Sequence, residues 1–197
     1  MSLFTKNQAQ NTQVPERQVL ESKFAGSRHN ILLIVVFSVI NIILLITNSN
    51  TYFLFSAYIP YMLADIGMYL CGLYPSEYYG EELAGIVFLD KNFLGIMLAA
   101  AAVILILYLL SWGFSKKIRV GWMVFALVFF AVDTVWMLLM NGIATDLMID
   151  YVFHGWVIVS LSMGISAGCK IKKLPEETVC PEPVMEAAAA EQTQPEE

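Results

Sequence analysis

Four long apolar runs, joined by short polar links, organise the chain. Ile31–Thr47 reads ILLIVVFSVINIILLIT and carries no charge. Phe93–Phe114 is equally clean, Val120–Asn141 is interrupted by Asp133, and Leu147–Gly168 contains Asp150 and His154. Each is close to the length an α-helix needs to cross the hydrocarbon core. A fifth apolar stretch, Tyr52–Leu73, differs in kind: Pro60 interrupts it, Asp65 charges it, and Tyr and Gly recur through it. Residues 1–30 are polar and predict a tail with at most a short surface helix near Arg17–Phe24. Beyond CKIKK, residues 169–197 are rich in Glu, Pro, Ala and Gln and predict a disordered acidic tail.

Charge sharpens this division. Only 14% of the residues are charged and 58% are hydrophobic, against about 25% charged for a soluble domain. The net charge of −6 conceals a strict segregation. Lys6, Arg17, Lys23 and Arg28 precede the first run, Lys116, Lys117 and Arg119 follow Phe114, and Lys170, Lys172 and Lys173 follow the last run. Lys91 stands alone. If Tyr52–Leu73 does not cross, ten of the eleven Lys and Arg fall on one side, as the positive-inside rule requires. Any five-span arrangement exports whole basic clusters. The expected topology therefore has four spans, both termini cytoplasmic, and an acidic, aromatic outer segment over residues 48–92. That segment is too apolar to float in water, so Tyr52–Leu73 is expected to be re-entrant or interfacial.

No basic patch with interleaved aromatics is present, which argues against nucleic acid as a partner; the bilayer, with membrane-protein partners or further copies of the chain, is the expected company. Cys71, Cys169 and Cys180 form no CxxC pair and have no His at metal-ligand spacing. The first apolar run starts only at Ile31 with no small-residue cleavage site after it, so the first helix is expected to be a retained anchor. HExxH, phosphate loops and dinucleotide fingerprints are absent from the sequence. The sequence thus nominates no catalytic, cofactor-binding or metal-binding residue, and no cofactor.

Polar groups inside the spans are the remaining candidates, because an ionisable side chain at that depth is costly. At about 1.5 Å per residue, Asn41 lies roughly 9 Å, Asp133 roughly 12 Å and His154 roughly 10 Å from the outer ends of their runs. Asp150 and His154 are spaced i, i+4 and share a helix face. Asn41, Asp133, Asp150 and His154 therefore form a candidate intramembrane cluster. It has two readings: a proton- or ion-responsive site, or interhelical hydrogen bonding that fixes packing, and the second is the commoner use of such residues. Asp65 is the candidate of the outer segment, with simple exposure to water as its bland alternative. Small residues recur at Gly95, Ala99 and Ala102 and at Ser160, Gly164 and Gly168, where they predict close helix packing within the chain. Trp112, Trp122, Trp136 and Trp156 read as interface anchors or bundle packing.

The stretch from Arg28 to Gly72, and TNSNTYFLFSAYIP within it, resembles the N-terminal half of small multi-pass membrane proteins of unknown function from Firmicutes-type bacteria. The resemblance implies a bacterial cell membrane and no particular activity. The expected fold class is all-α: a polytopic bundle of four transmembrane helices with an outer re-entrant or interfacial segment. The expected role is a non-enzymatic one, transporter-like or an accessory subunit of a membrane complex. A membrane-embedded enzyme acting on a lipid-type substrate, and a sensor or regulator at the outer surface, are the alternatives.

Overall fold

The computed structural model describes residues 16–49, 51–80 and 87–174. The expected tail beyond residue 174, with Cys180, and residues 1–15 lie outside the described residues. Five α-helices form, and no strand occurs among the described residues: α1 Glu16–Ile46, α2 Tyr58–Leu70, α3 Lys91–Phe114, α4 Val120–Asn141 and α5 Met148–Ile171. Four of them, α1, α3, α4 and α5, are long and apolar enough to cross a membrane, with mean hydropathies of 2.6, 2.8, 2.3 and 1.5. This is a multi-pass membrane protein of the all-α class.

The long helices form a ring in which α1 meets α5 and α3, and α4 meets the same two from the other side. Its centre is filled by Ile34, Tyr108, Met123, Ala126, Phe130, Val157 and Leu161, all buried. The outward faces carry Val36, Val39, Ile43, Ile96, Val103, Ile106, Val128, Val132, Val135, Val152 and Val159, all exposed. Apolar surface of that extent is what a helix bundle presents to lipid, where no hydrophobic penalty attaches to it.

The first helix departs from the sequence reading. Instead of a span from Ile31 preceded by a loose polar tail, α1 runs unbroken from Glu16. Its 31 residues extend about 46 Å at 1.5 Å per residue, well beyond a hydrocarbon core of about 30 Å. The reason lies in its buried seam: Leu20, Phe24, Ser27, Ile31, Ile34, Ser38, Asn41 and Leu45 alternate steps of four and three, the spacing that keeps one stripe against neighbouring helices. Leu20 and Phe24 continue into the polar segment a stripe that starts inside the span.

The seam lies on α5, where Gly164 and Gly168 allow the close approach. A Cβ on Gly164 would collide with the Ser27 side chain and come within 2.8 Å of Met123; one on Gly168 would come within 2.8 Å of Phe24 and of Val120. Ser27 Oγ donates to the Ser160 carbonyl over 2.8 Å, and Asn30 Nδ2 donates to Ser160 Oγ over 2.6 Å. The Ser160–Gly164–Gly168 stripe is thus spent on packing within the chain. Gly95 and its companions are not: nothing lies within 4 Å of a Cβ at Gly95, and Ala99 and Ala102 are exposed on the outside of α3.

The fifth apolar stretch does not cross. After α1 ends, the chain turns back and descends beside it, so that Phe53 meets Asn41 and Ala57 meets Ser38. Ser38 lies eight residues below Ile46, about 12 Å at helical rise. There α2 starts and climbs back, antiparallel to α3, with Gly67 against Leu94 and Met97 and the Cys71 thiol donating to the Asp90 carbonyl. Pro60 does not break this helix. It occupies the first turn, where a missing N–H costs nothing. Gly72, at φ +67°, ends α2, and its α-hydrogen faces the Phe88 ring where a Cβ would clash.

Candidate functional site

The start of α2 lies inside the bundle, and its first amides face no water. Their partners come from two other helices. Ser38 Oγ of α1 accepts the Ala57 N–H over 2.8 Å. Asp133 of α4 accepts the Tyr58 N–H at Oδ2 and the Ile59 N–H at Oδ1, each over 2.8 Å. Pro60 has no N–H to satisfy. A carboxylate at a helix N-terminus meets both the free amides and the positive end of the helix dipole. Asp133, 2% exposed, is therefore a cap supplied from a neighbouring helix.

Asn41 holds the descending segment of the same connection. Its Oδ1 accepts the Phe53 N–H over 2.8 Å, and its Nδ2 donates to the Phe53 carbonyl over 2.7 Å and to Ser56 Oγ over 2.9 Å. Phe55, between these anchors, has φ +71°, a strained conformation for a bulky residue. Its ring is gripped by Phe153 at 4.1 Å and Trp156 at 5.7 Å between centroids, which holds the strain in place.

His154 stacks on Phe130 with centroids 4.9 Å apart and planes 11° from parallel. Its Nδ1 lies 2.9 Å from the Asp150 carbonyl; a carbonyl can only accept, so Nδ1 carries the hydrogen. Nε2 faces Asp133 Oδ2 at 3.7 Å, too far for a hydrogen bond. Asp150 is 7% exposed, and its Oδ1 has no hydrogen-bond partner among the described residues. Asn41, Asp133 and His154 thus lie in one layer, with Asp150 one helical turn nearer the start of α5, but of the four only Asp133 and His154 meet side chain to side chain. Asn41 serves the connection, and Asp150 contacts His154 through its backbone.

Above this layer lie two adjoining cavities. One of about 510 Å³ is walled by Tyr52, Tyr58, Tyr61, Met62, Asp65 and Asp150, among others. The second, about 530 Å³, shares Tyr52, Tyr61 and Asp65 and adds Tyr69, Tyr74, Glu77 and Tyr78. Asp65 does not simply face water: Tyr74 donates its hydroxyl to Asp65 Oδ1 over 2.5 Å. Burial, and then this bond to the carboxylate, push the Tyr74 hydroxyl above the ordinary tyrosine range. Sequence reasoning missed the tyrosines as a group. The available signal was the i, i+4, i+8 spacing of Tyr61, Asp65 and Tyr69, which places them on one face of α2, opposite the buried Pro60, Ala64, Gly67 and Met68. Ser38 was also missed, because an isolated serine in an apolar helix gives no sign of the backbone it serves. Among the described residues, no three His, Cys, Asp or Glu side chains come together as a metal site.

No family model, curated protein or solved structure matches the chain.

Proposed function

We propose that this protein is a non-enzymatic component of a bacterial cell membrane, an accessory or receptor-type subunit whose α2 cap faces outward and whose termini are cytoplasmic. The observation that carries this reading is the commitment of Asp133. Both of its oxygens already accept amides of α2, so the strongest acid–base candidate of the spans works as structural glue. An embedded enzyme would need that carboxylate free to exchange protons with a substrate. A conduit through a lone chain is disfavoured by the side chains that fill the ring, Tyr108, Met123 and Phe130 among them. The orientation rests on charge: Arg17, Lys23, Lys116, Lys117, Arg119, Lys170, Lys172 and Lys173 all belong to the end of the bundle remote from α2, and basic clusters stay in the cytoplasm. A sensing role at the outer surface is the second reading, favoured by the tyrosine-walled cavities in the cap.

Single cysteines at Ser76 in the cap and Lys117 in the α3–α4 link, in a background without native cysteines, test the orientation. Both positions are exposed. With an impermeant thiol reagent on intact cells, Ser76→Cys is expected to label and Lys117→Cys is not. The reverse pattern overturns the orientation. Purification in mild detergent is expected to bring down a defined membrane partner in fixed ratio.

A further inference from the structure

We infer that the groove between the basic ends of α1 and α5 binds an anionic phospholipid, its phosphate between Lys23 and Lys170 and one acyl chain running along α5 toward Trp156. The inference goes beyond the subunit reading above: the leaflet rests on the proposed orientation, whereas the binding chemistry does not. The groove has a volume of about 730 Å³, within the range of small-molecule sites. Its charged lining residues are Lys23 and Lys170, and no Asp or Glu lines it. Among the described residues neither lysine forms an ion pair, and Glu21, the carboxylate nearest Lys23 in the chain, is held by Arg17 over 3.0 Å.

Polarity changes along the groove in the order in which a phospholipid presents it. Lys23 and Lys170 lie at the end of the bundle remote from α2, where the basic residues gather. Polar side chains come next, among them the exposed Ser166, one turn of α5 from Lys170, suited to ester and glycerol oxygens. Met163, Val159 and Trp156 follow at 57%, 56% and 48% exposure, an open apolar track for an acyl chain. Lys170 and Trp156 are fourteen residues apart, about 21 Å at helical rise, against about 15 Å for one leaflet of the hydrocarbon core. Gly26 makes the room on α1: it lines the groove, and a Cβ there would meet nothing within 4 Å. Basic pockets between membrane helices suit anionic headgroups, and lysine stems lie along apolar surface while their ammonium groups reach the phosphate. A zwitterionic lipid carries its own ammonium beside its phosphate and gains less from the pair. An acidic peptide, such as residues 175–197 of this chain, complements the lysines but not the apolar track, which lies within the α5 span. A molecule that is anionic at one end and apolar along its length satisfies both halves.

The test uses the purified full chain in mild detergent, titrated with phosphatidylglycerol or phosphatidylcholine and read by native mass spectrometry. Neither orientation nor a protein partner enters this measurement, so its outcome is independent of the labelling experiment above. Phosphatidylglycerol is expected to be retained about tenfold more tightly than phosphatidylcholine. Lys23→Gln combined with Lys170→Gln is expected to remove that about tenfold preference and to leave phosphatidylcholine unchanged. Lys117→Gln, which removes a charge from the same end of the bundle but outside the groove, is expected to change neither. Gly26→Leu fills the groove without touching its charge and is expected to weaken both lipids several-fold. Leucine is the better helix former, so this variant is expected to fold, and melting without added lipid checks it. Should Gly26→Leu melt below the wild type, the lysine pair, exposed at both positions, carries the decision. The inference is overturned by equal retention of the two lipids in the wild type, by a loss in Lys117→Gln that matches the lysine pair, or by wild-type retention in either folded groove variant.

Discussion

The Asp133 carboxylate stands 3.7 Å from His154 Nε2 while its two oxygens accept the amides of Tyr58 and Ile59. One side chain on α4 thus ties α5 to the buried start of α2. Asp133→Asn keeps one acceptor and loses the charge; Asp133→Leu loses both. Losing charge-assisted amide bonds costs on the order of 2 kcal/mol, so both variants are expected to melt below the wild type in detergent, the leucine variant lower. With His154→Ala, the double mutant is expected to lose less than the sum of the singles, by about 0.5 kcal/mol or more. Strict additivity would show that the two residues do not interact.

Asn41 offers a test of how the descending connection is held. Asn41→Leu keeps the branched shape, with more bulk, but removes the three hydrogen bonds to Phe53 and Ser56. The expected outcome is a loss of about 1–3 kcal/mol and faster proteolysis between residues 49 and 57. Unchanged cleavage would place the anchoring elsewhere, with the Phe55 ring the next suspect.

Two glycines should respond oppositely to the same methyl group. Gly95→Ala meets nothing within 4 Å and should be neutral or more stable by up to about 1 kcal/mol, since alanine is the better helix former. Gly164→Ala drives a Cβ into Ser27 and Met123, and overpacking of this kind costs about 1–3 kcal/mol. Thermal melting of the two variants decides, and equal melting points would mean that α1 and α5 do not approach as described.

Tyr74 predicts an alkaline response. Burial and the bond to Asp65 raise its hydroxyl above the ordinary value, so the folded state favours the neutral phenol. The corresponding stability is fully present below the unfolded tyrosine value of about 10 and is lost as pH rises from there through the folded value. Loosening of the cap, read as faster cleavage near residues 74–80, is expected above about pH 10. Tyr74→Phe should remove that dependence. A cap that loosens identically in both proteins would assign the effect to other groups.

The depth estimate for the polar layer was legible because it needs only helical rise and the ends of the apolar runs. Asp133 and His154 do meet on that basis. What each group does there was not legible. The clients of Asn41, Ser38 and Asp133 are backbone amides of Phe53, Ala57, Tyr58 and Ile59, and a backbone amide has the same chemistry at every residue, so no side-chain pattern announces which ones will be buried without a partner.

The sequence by itself determined the four long spanning helices and the segregation of charge, because each follows from how many consecutive residues tolerate lipid and where lysine and arginine must stop; it favoured leaving Tyr52–Leu73 out of their number, and the 13 residues of α2 leave it out. The tertiary structure alone decided that α1 begins at Glu16, that Asp133 caps α2 and that Tyr52, Tyr61, Asp65 and Asp150 wall one cavity. Those outcomes depend on which surfaces face each other once the helices assemble. Phe24 is seated where Gly168 of α5 leaves room for its ring, and Asp133 is a cap because α2 starts inside the bundle with its first amides free.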